Sequence, residues 1–104
     1  MIDIETLKQM NISENIAITK HARKRLDERG ITVVDILNGI KSGVIIKQYE
    51  DDKPFPSCLI LGKSAEDKYI HIVVSHDNEF IYLITAYYPN SEQWENNFKI
   101  RKEQ

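Results

Sequence analysis

Two histidines, with several arginines and tyrosines, are the residues of this chain whose types and spacing suit chemistry. His21, Arg25 and Arg29 recur at four-residue intervals, so on a helix they form one stripe. Arginine binds phosphate oxygens in a bidentate manner, and histidine transfers protons near neutral pH. The stripe is therefore either a phosphate-binding row or the solvated basic edge of a helix with snorkelling arginines.

A second group of candidates lies on strands in the C-terminal half of the chain. His71 interrupts a β-branched run, where it acts either as a general acid or base on an open sheet face or as a half-buried ring bonded to a neighbour. Tyr88 is expected on the same face, where it could contact a phosphate or stack on a base, or simply pack within the sheet.

Metal-free RNA cleavage is a reaction that these residue types would suit. It needs a base for the ribose 2′-hydroxyl, an acid for the 5′-oxygen and a cation for the charge on the phosphorane. Histidine, tyrosine, arginine and lysine supply all three. The chain has a single cysteine, Cys58, scattered histidines and no glycine-rich phosphate loop, so we expect neither a metal site nor a cofactor.

Three helices are predicted in the N-terminal half to position the basic stripe. The first covers residues 2–10. Thr19 is a plausible N-cap for a second helix that runs to Arg29, and Gly30 stands where helices commonly end. Thr32 caps a third helix that ends at Ser42-Gly43, and its apolar residues follow the helical offsets 0, 3, 4 and 7: Val33, Ile36, Leu37 and Ile40.

Four strands are predicted to follow, and their short connections favour antiparallel pairing. They cover residues 44–50, 57–63, 69–76 and 79–88. The expected fold class is therefore α+β, with two or three N-terminal helices packed on a four-stranded antiparallel sheet. After the last strand, Ser91 is a candidate cap for a final helical turn that carries Trp94 and Phe98.

The last hairpin predicts which side chains share a face. If Asp77-Asn78 is a two-residue turn, His76 pairs with Glu79. The aliphatic face, expected against the helices, then carries Ile70, Ile72, Val74, Ile81, Leu83 and Thr85. The opposite face carries Tyr69, His71, Val73, Tyr82, Ile84, Ala86 and Tyr88. A turn one residue longer would move one strand to the other register.

Length and charge bound the class of protein. The chain has 104 residues and a net charge of −2, which predicts a single domain over residues 1–104 and weighs against a general nucleic-acid binder. A local basic surface is still expected where five cations fall within ten residues: Lys20, Arg23, Lys24, Arg25 and Arg29. No apolar run reaches the roughly 20 residues of a membrane span, and the N-terminus is acidic, so we expect a cytoplasmic protein without a membrane partner.

An ordered set of motifs resembles a known bacterial family, domain of unknown function 4258. The opening signature is Thr19-Lys20-His21-Ala22, then Arg25, then Glu28-Arg29-Gly30-Ile31. The later features follow in order: Pro54-Phe55-Pro56-Ser57 before Leu59-Ile60-Leu61-Gly62, the histidine strand Tyr69-Ile70-His71-Ile72-Val73-Val74, and the closing Ile84-Thr85-Ala86-Tyr87-Tyr88-Pro89. The resemblance covers residues 17–95.

The resemblance implies a fold similar to the barnase, EndoU, colicin and RelE group, and a toxin-like role with zinc-finger antitoxins as partners. Carried onto this chain, it makes His21 and His71 candidate acid–base groups, Arg25 the phosphate contact, and Thr85 and Tyr88 supporting hydroxyls. The cations expected to bind RNA are Lys20, Arg29 and Lys63.

The function expected from this resemblance is that of a metal-independent ribonuclease toxin in a type II toxin–antitoxin system. The main alternative is a non-catalytic protein- or RNA-binding module of the same fold, and a third is an inactive relic of a toxin.

Overall fold

The helices lie where the sequence places them. The computed structural model describes residues 1–90, 94–95, 98 and 100–101. Its α-helices are α1 (Ile4–Gln9), α2 (Lys20–Arg29) and α3 (Val33–Ser42), and a short 3-10 turn covers Ser13–Asn15. In the part of the chain that is described, no helix has the length and apolar character to cross a bilayer.

Local hydrogen bonds explain why α2 and α3 begin and end at these residues. The Thr19 hydroxyl accepts a hydrogen bond from the Ala22 amide at 3.1 Å, and Gly30 ends α2 in the left-handed conformation at φ 67°, which glycine adopts without strain. Thr32 and Asp35 form a reciprocal capping box at the start of α3. Both predicted caps and both predicted helices are therefore confirmed.

The sheet confirms the α+β class but differs from the expected four antiparallel strands. Five strands are joined in the order β1-β5-β4-β3-β2, and they are β1 (Ile16–Ile18), β2 (Val44–Tyr49), β3 (Ser57–Lys63), β4 (Tyr69–His76) and β5 (Ile81–Tyr87). The additional strand, β1, pairs in parallel with the first half of β5. Parallel pairing is possible because a long connection, which includes both large helices and three strands, separates the two strands.

One face of the sheet packs on α3 and forms the core. A Cβ atom on Gly39 of α3 would lie 2.5 Å from Ile72 and 3.1 Å from Ile70, so these two β4 residues face the helix directly. Ile36 and Ile40 of α3 are fully buried against the same face. Because side chains alternate along a strand, the residues between them point away from α3.

We call this other side of the sheet the distal face. Strand register places the following residues on it: Leu59, Leu61, Lys63, Tyr69, His71, Val73, Ser75, Tyr82, Thr85 and Tyr87. His71 therefore faces away from the helical core, as its position in the sequence predicts.

The register of the last hairpin differs from the prediction in two ways. His76 pairs with Ile81, not with Glu79, because residues 77–80 form a longer turn in which the Asp77 side chain accepts hydrogen bonds from two backbone amides. This change adds two residues and leaves the faces of Ile81 and Leu83 as predicted.

The second difference comes from a bulge in β5. After the bulge, each remaining residue of the strand lies on the face opposite to the one predicted. Val74 pairs with Leu83, but Val73 pairs with Thr85, so Ile84 is an extra residue on β5. Thr85 therefore lies on the distal face, and its predicted position on the core face was wrong. Ala86 moves to the core face and is fully buried.

The C-terminal segment contains a further small sheet. Strands β6 (Trp94–Glu95) and β7 (Ile100–Arg101) pair antiparallel, so the expected helical turn at Trp94 is replaced by a strand. Ser91, the predicted cap of that turn, lies outside the described residues. Phe98 stands in a turn between β6 and β7.

Candidate functional site

His71 is the centre of the candidate site on the distal face. Its side chain is fully buried, and Nε2 lies 2.8 Å from the Phe98 carbonyl oxygen. A carbonyl only accepts hydrogen bonds, so Nε2 carries the proton in the neutral ring. Nδ1 is then the basic nitrogen, and it lies 3.3 Å from the Tyr87 hydroxyl, which donates to it.

Burial sets the protonation state of this histidine. Removal from water lowers the pKa of His71 below its ordinary value of 6.5, and the hydrogen bond to the Phe98 carbonyl opposes that shift in part. The ring is therefore neutral near pH 7 and keeps a lone pair on Nδ1. A neutral imidazole in this position suits a general base.

Arg29 reaches the same region from the last turn of α2. Strand β1 ends at Ile18, which pairs with Leu83, so no strand of the described residues pairs with the second half of β5 on that side. Arg29 Nη1 fills this edge, donating to the Ala86 carbonyl at 2.9 Å and to the Thr85 hydroxyl at 3.1 Å. Its Nη2 and Nε donors have no partner among the described residues.

Four of the sequence-predicted residues thus lie on or beside the distal face. They are His71, Thr85, Arg29 and Lys63, the last placed there by its pairing with Tyr69. The Lys63 ammonium lies 4.9 Å from the centre of the Tyr69 ring and 3.6 Å from an Asp67 carboxylate oxygen. The group combines one neutral histidine with two cations and a hydroxyl.

The remaining candidates are not held against His71. His21, Arg25 and Lys20 are exposed on α2, and Arg25 pairs with Glu28 at 3.4 Å. Tyr88, which the sequence places beside His71, follows the β5 bulge and packs against the core instead.

Tyr87 is the residue that sequence reasoning missed. It pairs with His71 across β4 and β5, and their rings meet edge to face with centroids 5.3 Å apart. The closing motif contains both Tyr87 and Tyr88, and simple alternation selects the wrong one because it takes no account of the bulge at Ile84.

No metal centre is evident in the described residues. Within them, no group of three His, Cys, Asp or Glu side chains is arranged to hold a metal ion. Cys58 is buried in the core, where desolvation raises the pKa of its thiol to about 12, so it stays protonated and unreactive at neutral pH.

The lowered pKa of His71 predicts how stability depends on pH. The unfolded chain binds a proton at this residue more readily than the folded protein does, so the free energy of unfolding falls as pH drops below the unfolded value of about 6.5. Urea titrations between about pH 7 and pH 5 measure this. We expect His71→Asn to flatten the dependence. Equal slopes for parent and His71→Asn would contradict the assignment.

Comparison with known proteins identifies a family. The model of a family described as a domain of unknown function, DUF4258, matches residues 18–88. The matched segment contains α2, α3 and strands β2 to β5, and with them all the candidate site residues except Phe98. No curated protein and no solved structure gives a significant match.

Proposed function

The chain belongs to the DUF4258 family, and on that premise we propose that it is a metal-independent ribonuclease toxin of a type II toxin–antitoxin system. The observation that supports this most is the neutral His71 ring, with its basic nitrogen at the Tyr87 hydroxyl. Thr85 and Arg29 stand beside this pair at the edge of the same face.

His71 and Tyr87 would act together as the base. The 2′-hydroxyl of the substrate gives its proton to the Tyr87 oxygen while the Tyr87 proton passes to His71 Nδ1. The 2′-oxygen attacks the adjacent phosphorus, the bond from phosphorus to the 5′-oxygen breaks, and the 5′-oxygen takes a proton from solvent. The products are a 2′,3′-cyclic phosphate and a 5′-hydroxyl.

Arg29 would stabilise the charge that develops on the phosphate. Two hydrogen bonds to β5 fix the guanidinium through Nη1, and the donors on Nη2 and Nε are left for phosphate oxygens. A preorganised cation of this kind costs little reorganisation when the charge develops. Arg29 thereby takes the role that the sequence resemblance implied for Arg25.

The partner that we propose is a zinc-finger antitoxin, and the proposed location is the cytoplasm. The first half of α2 carries an exposed basic surface of Lys20, Arg23 and Lys24, whereas Arg29 at the end of the helix reaches the β5 edge. An acidic partner segment could bind this surface without occupying the site.

One observation favours the alternative of a non-catalytic binding module. The Phe98 carbonyl accepts a hydrogen bond from Nε2 of His71. The ring therefore also has a structural role, because this bond holds Phe98 against the sheet. In that case the distal face binds RNA or protein without cleaving it.

Incubation of the purified chain with single-stranded RNA in the presence of a chelator separates the two functions. We expect cleavage products that end in 2′,3′-cyclic phosphate and 5′-hydroxyl groups, because the chemistry uses only side chains. We also expect growth arrest when the chain is expressed without a partner. If the folded protein binds RNA and leaves it intact, the ribonuclease proposal is wrong and the binding module is favoured.

A further inference from the structure

A concave site lies on the distal face, away from His71. It is a cavity of about 460 Å³, and its lining includes Thr19, Lys53, Phe55, Ser75 and Tyr82. Ser75 lies four residues beyond His71 on β4, which places the two about 13 Å apart at the usual strand rise. The cavity volume is within the range of small-ligand sites, about 300–1,000 Å³.

Two aromatic rings shape this cavity. Phe55, from the loop between β2 and β3, stacks on Tyr82 with centroids 6.2 Å apart and planes 7° from parallel. Phe55 remains 42% exposed, so part of its side chain is accessible to a ligand. The Tyr82 hydroxyl donates a hydrogen bond to the Asp77 carboxylate, and this bond fixes the orientation of the Tyr82 ring.

We propose that this cavity binds one unstacked base of a single-stranded RNA, a proposal that rests on the ribonuclease function above. Parallel aromatic faces are the usual platform for bases in single-stranded nucleic-acid binding, and they accept any base because each has a π-face. Lys53 supplies a cation for the backbone phosphate, and the Thr19 and Ser75 hydroxyls supply polar groups at the edge of the base.

The position of the cavity relative to His71 gives it a role in cleavage. A base stacked at Phe55 anchors the RNA on the same face of the sheet as His71 and Tyr87, and the chain that continues from it passes along Val73 toward the Thr85 and Arg29 edge. The site thus selects single-stranded RNA, because a base inside a duplex is not free to enter the cavity.

Binding of a 2′-O-methyl RNA of about eight nucleotides, a typical site size for such proteins, tests the proposal without cleavage. We expect Phe55→Ala to weaken binding about tenfold, within the range measured for base–aromatic stacking. Phe80→Ala is the matched control, since Phe80 is similarly exposed and contacts Tyr82 without lining the cavity. It should change affinity by less than about twofold, and Phe55→Trp should retain binding.

The outcomes separate this inference from the function on which it rests. If RNA is cleaved by both the parent and Phe55→Ala, and their affinities are equal, the base-binding cavity is wrong and the ribonuclease remains. Equal losses in Phe55→Ala and Phe80→Ala would also overturn the cavity. A folded parent that neither binds nor cleaves RNA would overturn both.

Discussion

Asparagine in place of His71 is expected to lower the rate of RNA cleavage roughly 100- to 10,000-fold, the range for one general acid–base group. Asparagine places an amide near the position of Nδ1 and has no basic nitrogen to receive the proton of Tyr87. Single-turnover cleavage of a short RNA measures the loss, and circular dichroism shows that the variant is folded.

Two further variants show whether the loss belongs to this site. Tyr87→Phe removes only the hydroxyl that lies against His71 Nδ1, so under the proposed mechanism we expect it to share most of the defect. His21→Asn makes the same change on the exposed face of α2 and should leave the rate within about threefold of the parent, since it removes no group from the site. If His21→Asn cleaves RNA much more slowly than the parent and His71→Asn cleaves it at the normal rate, the catalytic site lies on α2 and the assignment to His71 is wrong.

The close contact between α3 and β3 predicts the largest effect on stability. A Cβ atom on Gly62 of β3 would overlap the backbone carbonyl group of Gly39 in α3, so the contact is with backbone and no side chain can move aside. We expect Gly62→Ala to lower the free energy of unfolding by about 3 kcal/mol, the upper end of the usual cost of overpacking. Urea denaturation of the parent and the variant measures the difference.

Gly30→Ala is the matched control for Gly62→Ala. Gly30 has a positive φ of 67°, but a Cβ atom there would meet no atom within 4 Å. Its cost is therefore only backbone strain, about 1 to 2 kcal/mol. Similar losses for the two variants would show that steric contact between α3 and β3 is not what requires Gly62.

The helices could be predicted from sequence because their signals are local. Thr19 and Gly30 bracket α2, and Thr32 with Asp35 starts α3, each through contacts that span only a few residues. The family resemblance, built from motifs in order along the chain, is confirmed for the same reason. The bounds of β3 and β4 follow from largely apolar runs that turn-rich segments flank, and both strands begin and end as predicted.

The sheet order and half of the site depend on contacts that no local pattern encodes. Strand β1 is three residues long, and its strand state comes from pairing with β5 far along the chain. The bulge at Ile84 has no glycine or proline to mark it, yet it decides that Thr85 and Tyr87, rather than Ala86 and Tyr88, accompany His71. His71 itself could be predicted because β4 alternates without interruption.

The bond from Arg29 to the Ala86 carbonyl spans 57 residues, and this separation has a consequence for synthesis. At about 5–20 residues per second, the ribosome makes β5 roughly 3 to 11 s after Arg29. Contacts between distant residues also form late in folding, so the β2–β5 meander is expected to assemble before α2 docks at its edge. Arg29, the proposed phosphate contact, is therefore synthesised early and reaches its final position late. A nascent chain that ends before Ala86 lacks the carbonyl that holds Arg29, so its site is incomplete.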